Sequence, residues 1–171
     1  MDFDQVAVNG VNSNNMSAYA DQNHAPSLTD VRLEISYPLR QKGKHHELRD
    51  IAEQNENWII EQRRYFHAHP ELSFEEKNTT HEIGKCLEEM GLTPHYYPDY
   101  NGLWAIIKGG KSTPGSKTVA LRADIDALPV EEHTGLTFCS QNPGVMHACG
   151  HDCHIAMLLG GIRMLMAKKK T

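Results

Sequence analysis

Apolar residues recur at helical spacing in three segments of this chain. The first runs from residue 45 to His67 and must end near His69, because Pro70 disfavours a helical residue before it. The second follows Ser73 and Glu76, whose Ser-x-x-Glu spacing predicts a capping box, and Gly91 supplies its C-terminal stop. The third covers residues 151–168 and is apolar enough to be buried. The pattern predicts three helices.

Between the second and third helices the apolar residues occur in short runs, separated by Pro, Asp, Asn and Gly. We expect strands at 93–97, 103–108 and 118–122. Val119–Leu121 is continuously apolar, which is typical of a strand covered on both faces. Helices that alternate with buried strands predict an α/β fold.

Residues 1–44 show no persistent period and are rich in Asn, Ser, Asp and Gln. Such a segment buries too little apolar surface to offset its ordering entropy, so we expect it to be disordered or loosely attached. Within it, residues 28–36 alternate and could add an edge strand. The folded part is therefore expected at 45–171.

Composition narrows the class of protein. The net charge of −5 and the absence of a long basic stripe argue against nucleic-acid binding. No apolar run is long enough for a membrane span, and the start does not resemble a secretory signal, so we expect a cytoplasmic protein that binds no membrane. The four cysteines then read as free thiols or metal ligands rather than as disulfides.

Residues 146–154 concentrate thiol, imidazole and carboxylate groups immediately before the third helix. Thiolate and neutral imidazole bind zinc-like ions well, so a metal site is the first hypothesis. Cys149 and His151 are two apart, with Gly150 between them to allow a tight turn. His147 and His151 are four apart, as on one helix face, but Ala148 stands where the zincin motif has glutamate. We therefore prefer Cys149 and His151.

The remaining polar residues of this run, Asp152 and His154, are expected to orient ligands or to face the substrate. Asp124 and Asp126 follow the last predicted strand, at the edge where ligands usually bind in α/β sheets. In extended backbone, residues two apart project to the same side, although Asp-x-Asp alone is a weak signal.

Three motifs occur in a specific order: His67–Leu72 (HAHPEL), Arg122–Pro129 (RADIDALP) and Met146–Asp152 (MHACGHD). Together they resemble the amidohydrolase branch of metallopeptidase family 20, which includes hippurate hydrolases, N-acyl-amino-acid amidohydrolases and auxin-conjugate hydrolases. The resemblance covers about residues 56–171. It implies an α/β fold, namely the first half of a three-layer α/β/α zinc-peptidase-like catalytic domain.

The resemblance also implies a binuclear site for divalent metal, with manganese or zinc foremost and nickel or cobalt as alternatives. Cys149 and His151 inherit the role of metal ligands. Asp126 inherits the catalytic role of orienting a ligand or the water, whereas Asp124 stands where relatives outside this branch carry a ligand histidine. The residues implied as support are Asp124, His147, Asp152, His154, His69 and Glu71.

One departure limits the functional prediction. The family's Glu-Glu pair, its later histidine ligands and the lid domain used for dimerisation all follow the cysteine motif, and the sequence stops at Thr171 before them. Glu131–Glu132 lies upstream and does not map onto that pair. We therefore expect the first half of a catalytic domain without its lid.

Three functions stay open. In the complete protein, the resemblance implies hydrolysis of the amide bond of small N-acyl amino acids or similar conjugates by metal-activated water, in a homodimer formed through the lid. The alternative is an inactive truncated fragment that binds metal weakly. A third possibility is a small structural zinc module, built from Cys149, Cys153, His147 and His154.

Overall fold

The computed structural model describes residues 5–9, 44–110 and 113–169. In chain order the elements are β1 (Gln5–Asn9), α1 (Lys44–Ala68), α2 (Lys77–Glu89), β2 (His95–Tyr96), β3 (Leu103–Trp104), β4 (Ile106–Lys108), β5 (Val119–Arg122) and α3 (His151–Lys169). The three predicted helices and the three predicted strand regions are confirmed, with 103–108 divided into β3 and β4.

The strands form two small sheets. In the larger one, of order β4-β1-β5, β1 runs antiparallel to β4 and parallel to β5. The smaller sheet is the antiparallel pair of β2 and β3. Gln5–Asn9 belongs to the segment expected to be disordered or loosely attached, yet here it is the middle strand of a sheet. The edge strand predicted at 28–36 lies outside the described residues.

The core is formed where α1, α2 and α3 present their apolar residues to one another and to the strands. Its most deeply buried side chains are Phe66, Leu87, Ile155, Leu159 and Ile162. Burying a side chain of this size stabilises the fold by about 1.5–3 kcal/mol each. Arg163 lies 4.5 Å from the Trp58 ring, which adds a cation–π contact between α3 and α1. This packing fixes α3, and therefore the residues at its first turn.

Two local predictions are wrong. β5 was expected to be covered on both faces, but Leu121 is 39% exposed. A continuous apolar run reports residue type and cannot show whether a second layer lies over it. The Ser73–Glu76 capping box is also absent, since Glu76 makes no side-chain cap and the Ser73 hydroxyl has no partner among the described residues.

Glu71 caps α2 instead. Its carboxylate accepts hydrogen bonds from the backbone amides of Asn78 (3.2 Å) and Thr79 (2.7 Å) at the start of the helix. A carboxylate at this end also interacts favourably with the helix dipole. Glu71, the acceptor, lies in the loop before the helix. The Ser-x-x-Glu spacing of the capping box therefore selected the wrong residue. The structure shows Glu71 capping α2, and the supporting role predicted for it in the site stays a prediction.

In the part of the chain that the structure describes, none of the helices is both long and apolar enough to cross a lipid bilayer.

Replacing each of two adjacent glycines of α3 by alanine should change the stability of the protein in opposite directions. A methyl group on Gly160 would lie 2.6 Å from Cδ1 and 2.8 Å from Cγ1 of Ile59, whereas one on Gly161 would meet open space. We expect Gly160→Ala to lower the free energy of unfolding by about 1–3 kcal/mol through overpacking. Gly161→Ala should raise it by up to about 1 kcal/mol through helix propensity. Urea denaturation measures both, and equal stabilisation by the two would contradict the close approach of α1 and α3.

Candidate metal centre

Backbone hydrogen bonds join the three sequence motifs into one region. The Ala127 amide donates to the Glu71 carbonyl at 2.8 Å, which links the first motif to the second. The amides of Leu128 and Met146 each donate to the other's carbonyl, at 2.9 and 3.0 Å, which links the second to the third. Segments far apart in sequence are thereby fixed beside the first turn of α3.

The predicted ligand His151 is held by the predicted catalytic residue Asp126. His151 Nδ1 lies 3.0 Å from the Asp126 carboxylate Oδ1 and 3.0 Å from its backbone carbonyl oxygen, and both residues are buried. Because both partners are acceptors, Nδ1 donates and the lone pair of Nε2 is left for another partner. A carboxylate behind a histidine in this way fixes the ring orientation and raises its basicity as a ligand.

His151 belongs to a group of three possible metal-binding residues. Asp124, His151 and His154 each offer one ligand atom, and these atoms lie within 4.8 Å of one another. Asp124 is half-buried and His154 is exposed. Arg122 pairs with Asp124 through Nη2 and Nε, at 2.8 and 3.0 Å, and both bonds use Oδ1. Sequence reasoning gave Asp124 and His154 only supporting roles, whereas the structure places them next to the central histidine.

The predicted ligand Cys149 is exposed and does not belong to this group of three. Gly150, which follows it, has φ +89°, so the tight turn expected there is present. The ligand role of Cys149 stays a prediction. The donors of the possible zinc module, Cys149, Cys153, His147 and His154, do not form a metal-binding group in the described part of the chain.

All four cysteines are free thiols, in agreement with the sequence analysis. Cys86 is buried, and its Sγ donates to the Gln62 side-chain oxygen at 3.4 Å. Burial, together with the nearby carboxylates of Glu82 and Glu89, raises the pKa of the Cys86 thiol to about 11. Since the thiolate is the reactive form, Cys86 acts as a structural residue.

A buried charged cluster anchors the first turn of α3. Asp152 is 1% exposed, and its Oδ2 lies 2.7 Å from His67 Nδ1 and 2.9 Å from Arg63 Nε. His67 Nε2 lies 3.2 Å from Glu132 Oε1. The cluster therefore connects the end of α1, the start of α3 and the loop that contains Glu132.

Sequence reasoning found only part of this cluster. It gave Asp152 a supporting role but missed His67, Arg63 and Glu132, because contacts across such separations leave no local pattern. Of the first motif's histidines it selected His69, which is exposed, stacks on Tyr65 and bonds the Tyr65 carbonyl at 2.7 Å. The useful signal was the motif itself, which contains both histidines.

Glu132 is held as a carboxylate within its loop. Burial pushes its pKa up, but hydrogen bonds from the Thr134 hydroxyl, the Ser140 amide (2.6 Å) and His67 outweigh this, so its pKa lies below the usual range. Its environment makes Glu132 a structural anchor for residues 132–140.

His147 is buried, and neither of its ring nitrogens has a hydrogen-bond partner among the described residues. Burial is the main reason that its pKa is lowered to about 4; the charges of Asp152 and Asp126 oppose the shift, and those of His67 and His151 add to it. A buried polar group without a partner is uncommon in folded proteins and points to a further ligand. The donors that lie together, the oriented His151 with Asp124 and His154, are of the types that bind a divalent metal ion.

Comparison with known proteins identifies relatives of this chain. Residues 120–171 match the family described as Peptidase family M20/M25/M40. The chain is 48% identical over 124 residues to thermostable carboxypeptidase 1 of Saccharolobus solfataricus, covering 71% of this chain and 30% of that protein. It is 43% identical over 141 residues to N-acetyl-L-cysteine deacetylase of Bacillus subtilis, covering 78% and 33%.

A solved structure supports the same relationship. The crystal structure of a Bacillus subtilis protein described as a dinuclear metal-binding peptidase of the M20 family matches with a TM-score of 0.62 and 40% identity, over 71% of this chain and 32% of that one. The α/β fold expected from the sequence is that of this neighbour. The chain spans about a third of the length of the curated relatives it matches.

Proposed function

We propose that this chain, which belongs to peptidase family M20/M25/M40, forms part of a metal-dependent amidohydrolase that cleaves the amide bond of N-acyl amino acids or similar conjugates. The observation that carries the proposal is the His151–Asp126 pair, set beside Asp124 where the three motifs meet. The names of the relatives, a carboxypeptidase and a deacetylase, both describe hydrolysis of an amide C–N bond.

The residues of this chain would contribute positioning and binding. His151 would hold the ion, with Cys149 as the second ligand that the resemblance implies. Asp126 keeps the His151 ring oriented and is therefore a positioning residue. The chemistry supplied by a bound divalent ion is activation of water and polarisation of the amide carbonyl.

The remaining parts of the proposal concern the complete protein. In it, these residues would form the first part of a three-layer α/β/α catalytic domain. The two-ion site, the lid and the homodimer that the resemblance implies would then need residues outside these 171. The alternative is an inactive truncated fragment that binds metal weakly. It predicts no turnover of substrate with any metal ion.

Activity should depend on divalent metal and on His151. We expect the protein that contains this sequence to release the amino acid from N-acetyl-L-amino acids after manganese or zinc is restored to chelator-treated protein. His151→Ala should stay at the rate of the metal-free protein, because a ligand is lost. The measurement is amine release, with a dipeptide as the competing substrate class.

His81→Ala is the matched control, since it removes an exposed histidine of α2, outside the site. It should retain the activity of the unchanged protein. Turnover that persists equally in the presence of chelator, or that His151→Ala leaves intact, would contradict the proposal. Cleavage of the dipeptide alone would keep the metal mechanism and reject the N-acyl substrate class.

A further inference from the structure

We infer that His67, at the end of α1, is a positioning residue for the metal centre. It holds the carboxylate of Asp152, the residue directly after His151, and thereby fixes the turn that presents Cys149 and His151. The inference rests on the proposed function for the ligand roles of Cys149 and His151. The contacts that carry it belong to the described residues alone.

The His67 ring is held between two carboxylates. Its Nδ1 lies 2.7 Å from Asp152 Oδ2, and its Nε2 lies 3.2 Å from Glu132 Oε1. The side chains of His67 and Glu132 are each 3% exposed, and that of Asp152 is 1% exposed. A ring with an acceptor at each nitrogen cannot turn without losing a buried hydrogen bond, so its orientation is fixed.

The contact with Asp152 reaches the predicted ligands through the backbone. Asp152 and His151 are neighbours in the first turn of α3, where the Cys153 amide donates to the Gly150 carbonyl at 3.0 Å. Gly150, with φ +89°, forms the turn that follows Cys149. A displacement of Asp152 therefore moves His151 and Gly150 with it, and Cys149 moves with Gly150.

The orientation of Asp152 depends on the partners of a single oxygen. Both side-chain contacts of Asp152 use Oδ2, whereas Oδ1 has no partner among the described residues. One of the two partners is Arg63 Nε, at 2.9 Å, on a longer side chain that is 32% exposed. His67 is the shorter, fully enclosed partner and makes the closer contact. It therefore restricts the Asp152 carboxylate more than Arg63 does.

The loop that contains Glu132 also shields this contact from water. Phe138 packs edge-on against His67, with ring centroids 5.7 Å apart. The guanidinium groups of Arg63 and Arg64 lie 5.1 and 5.2 Å from the centre of the Phe138 ring. A hydrogen bond in such a poorly solvated environment is stronger than one in water. The contact between His67 and Asp152 is therefore suited to fixing a position.

Cobalt(II) reports directly on the turn that His67 is inferred to fix, because a bound thiolate produces a sulfur-to-cobalt charge-transfer absorption. We expect the protein that contains this sequence to show this band with cobalt. His67→Ala should reduce the band and weaken cobalt binding by about tenfold, the low end of the range for groups that orient a metal ligand. Competition with a chromophoric chelator measures the affinity.

Two amide variants test which contact of His67 matters. Asparagine places its amide nitrogen near the position of Nδ1, and glutamine places it near that of Nε2. His67→Asn therefore keeps a donor toward Asp152, and His67→Gln keeps one toward Glu132. We expect His67→Asn to recover most of the cobalt affinity and of the charge-transfer band, and His67→Gln to behave like His67→Ala.

The control separates positioning from stability. Leu87→Ala truncates a fully buried side chain of α2 and lowers stability by leaving a cavity. It should leave cobalt affinity and the band unchanged in the folded protein. Circular dichroism, recorded at the same temperature as the titrations, checks that each variant is folded.

Three outcomes would overturn the inference. If His67→Ala is folded and keeps both affinity and band, His67 does not position the turn, and the proposed function survives. Recovery by His67→Gln that equals or exceeds that by His67→Asn would mean that the contact with Asp152 is not the one that matters. If the unchanged protein binds cobalt without the charge-transfer band, Cys149 is not a ligand, and the ligand set of the proposed function fails as well.

Discussion

Replacing Asp152 by alanine is expected to lower the free energy of unfolding by about 3–5 kcal/mol, the range for breaking a buried ion pair from one side. Asp152 is 1% exposed and lies 2.7 Å from His67 and 2.9 Å from Arg63. Its removal leaves a buried imidazole and a partly buried guanidinium facing each other without the carboxylate between them. It also removes a negative charge from the first turn of α3, where the helix dipole favours one.

Urea denaturation followed by circular dichroism tests this expectation, with a shift in midpoint at constant slope as the sign of altered stability. The matched control is Glu53→Ala, which removes a carboxylate from the ion pair with Arg49. Those side chains are 61% and 77% exposed. An exposed pair of this kind contributes at most about 1 kcal/mol. If the two variants lose equal stability, the cluster around Asp152 does not anchor α3.

The comparison of sequence with structure shows where periodicity is informative. It predicted α1, α2 and α3 because each buries one apolar stripe, and that stripe is visible in the order of residues. It failed for β1, because Gln5–Asn9 is a short run in a polar segment and becomes a strand only through pairing with β4 and β5. Strand formation there depends on partners about a hundred positions away.

In the candidate site, too, some residues could be predicted from the sequence and others could not. His151 could be selected because it lies in a dense motif whose chemistry is recognisable, whereas Asp126 was selected through the family resemblance, and the roles of both stay predictions. The contact between His67 and Asp152 joins residues 85 positions apart, and no local rule reports it. The closeness of Asp124 and His154 to His151 depends on where a loop after β5 meets the first turn of α3. Spacing along the chain cannot supply that distance.

Asp126→Ala is expected to weaken binding of a divalent cation by about tenfold, near the low end of the 10–100-fold range for groups that orient a metal ligand. The loss is limited because the Asp126 backbone carbonyl, also 3.0 Å from His151 Nδ1, remains as an acceptor after the side chain is removed. Asp126→Asn keeps a side-chain oxygen but not its charge, so it should lie between the unchanged protein and the alanine variant.

Competition with a chromophoric chelator measures these affinities for zinc and cobalt. Asp99→Ala, which removes an exposed aspartate outside the site, is the control and should have no effect. If the alanine variant has the lowest affinity, the asparagine variant an intermediate one and the unchanged protein the highest, the carboxylate orients His151 and increases its basicity. Equal affinities for all three would mean that the backbone carbonyl alone positions the ring, and that the Asp126 side chain must act on another group in the site.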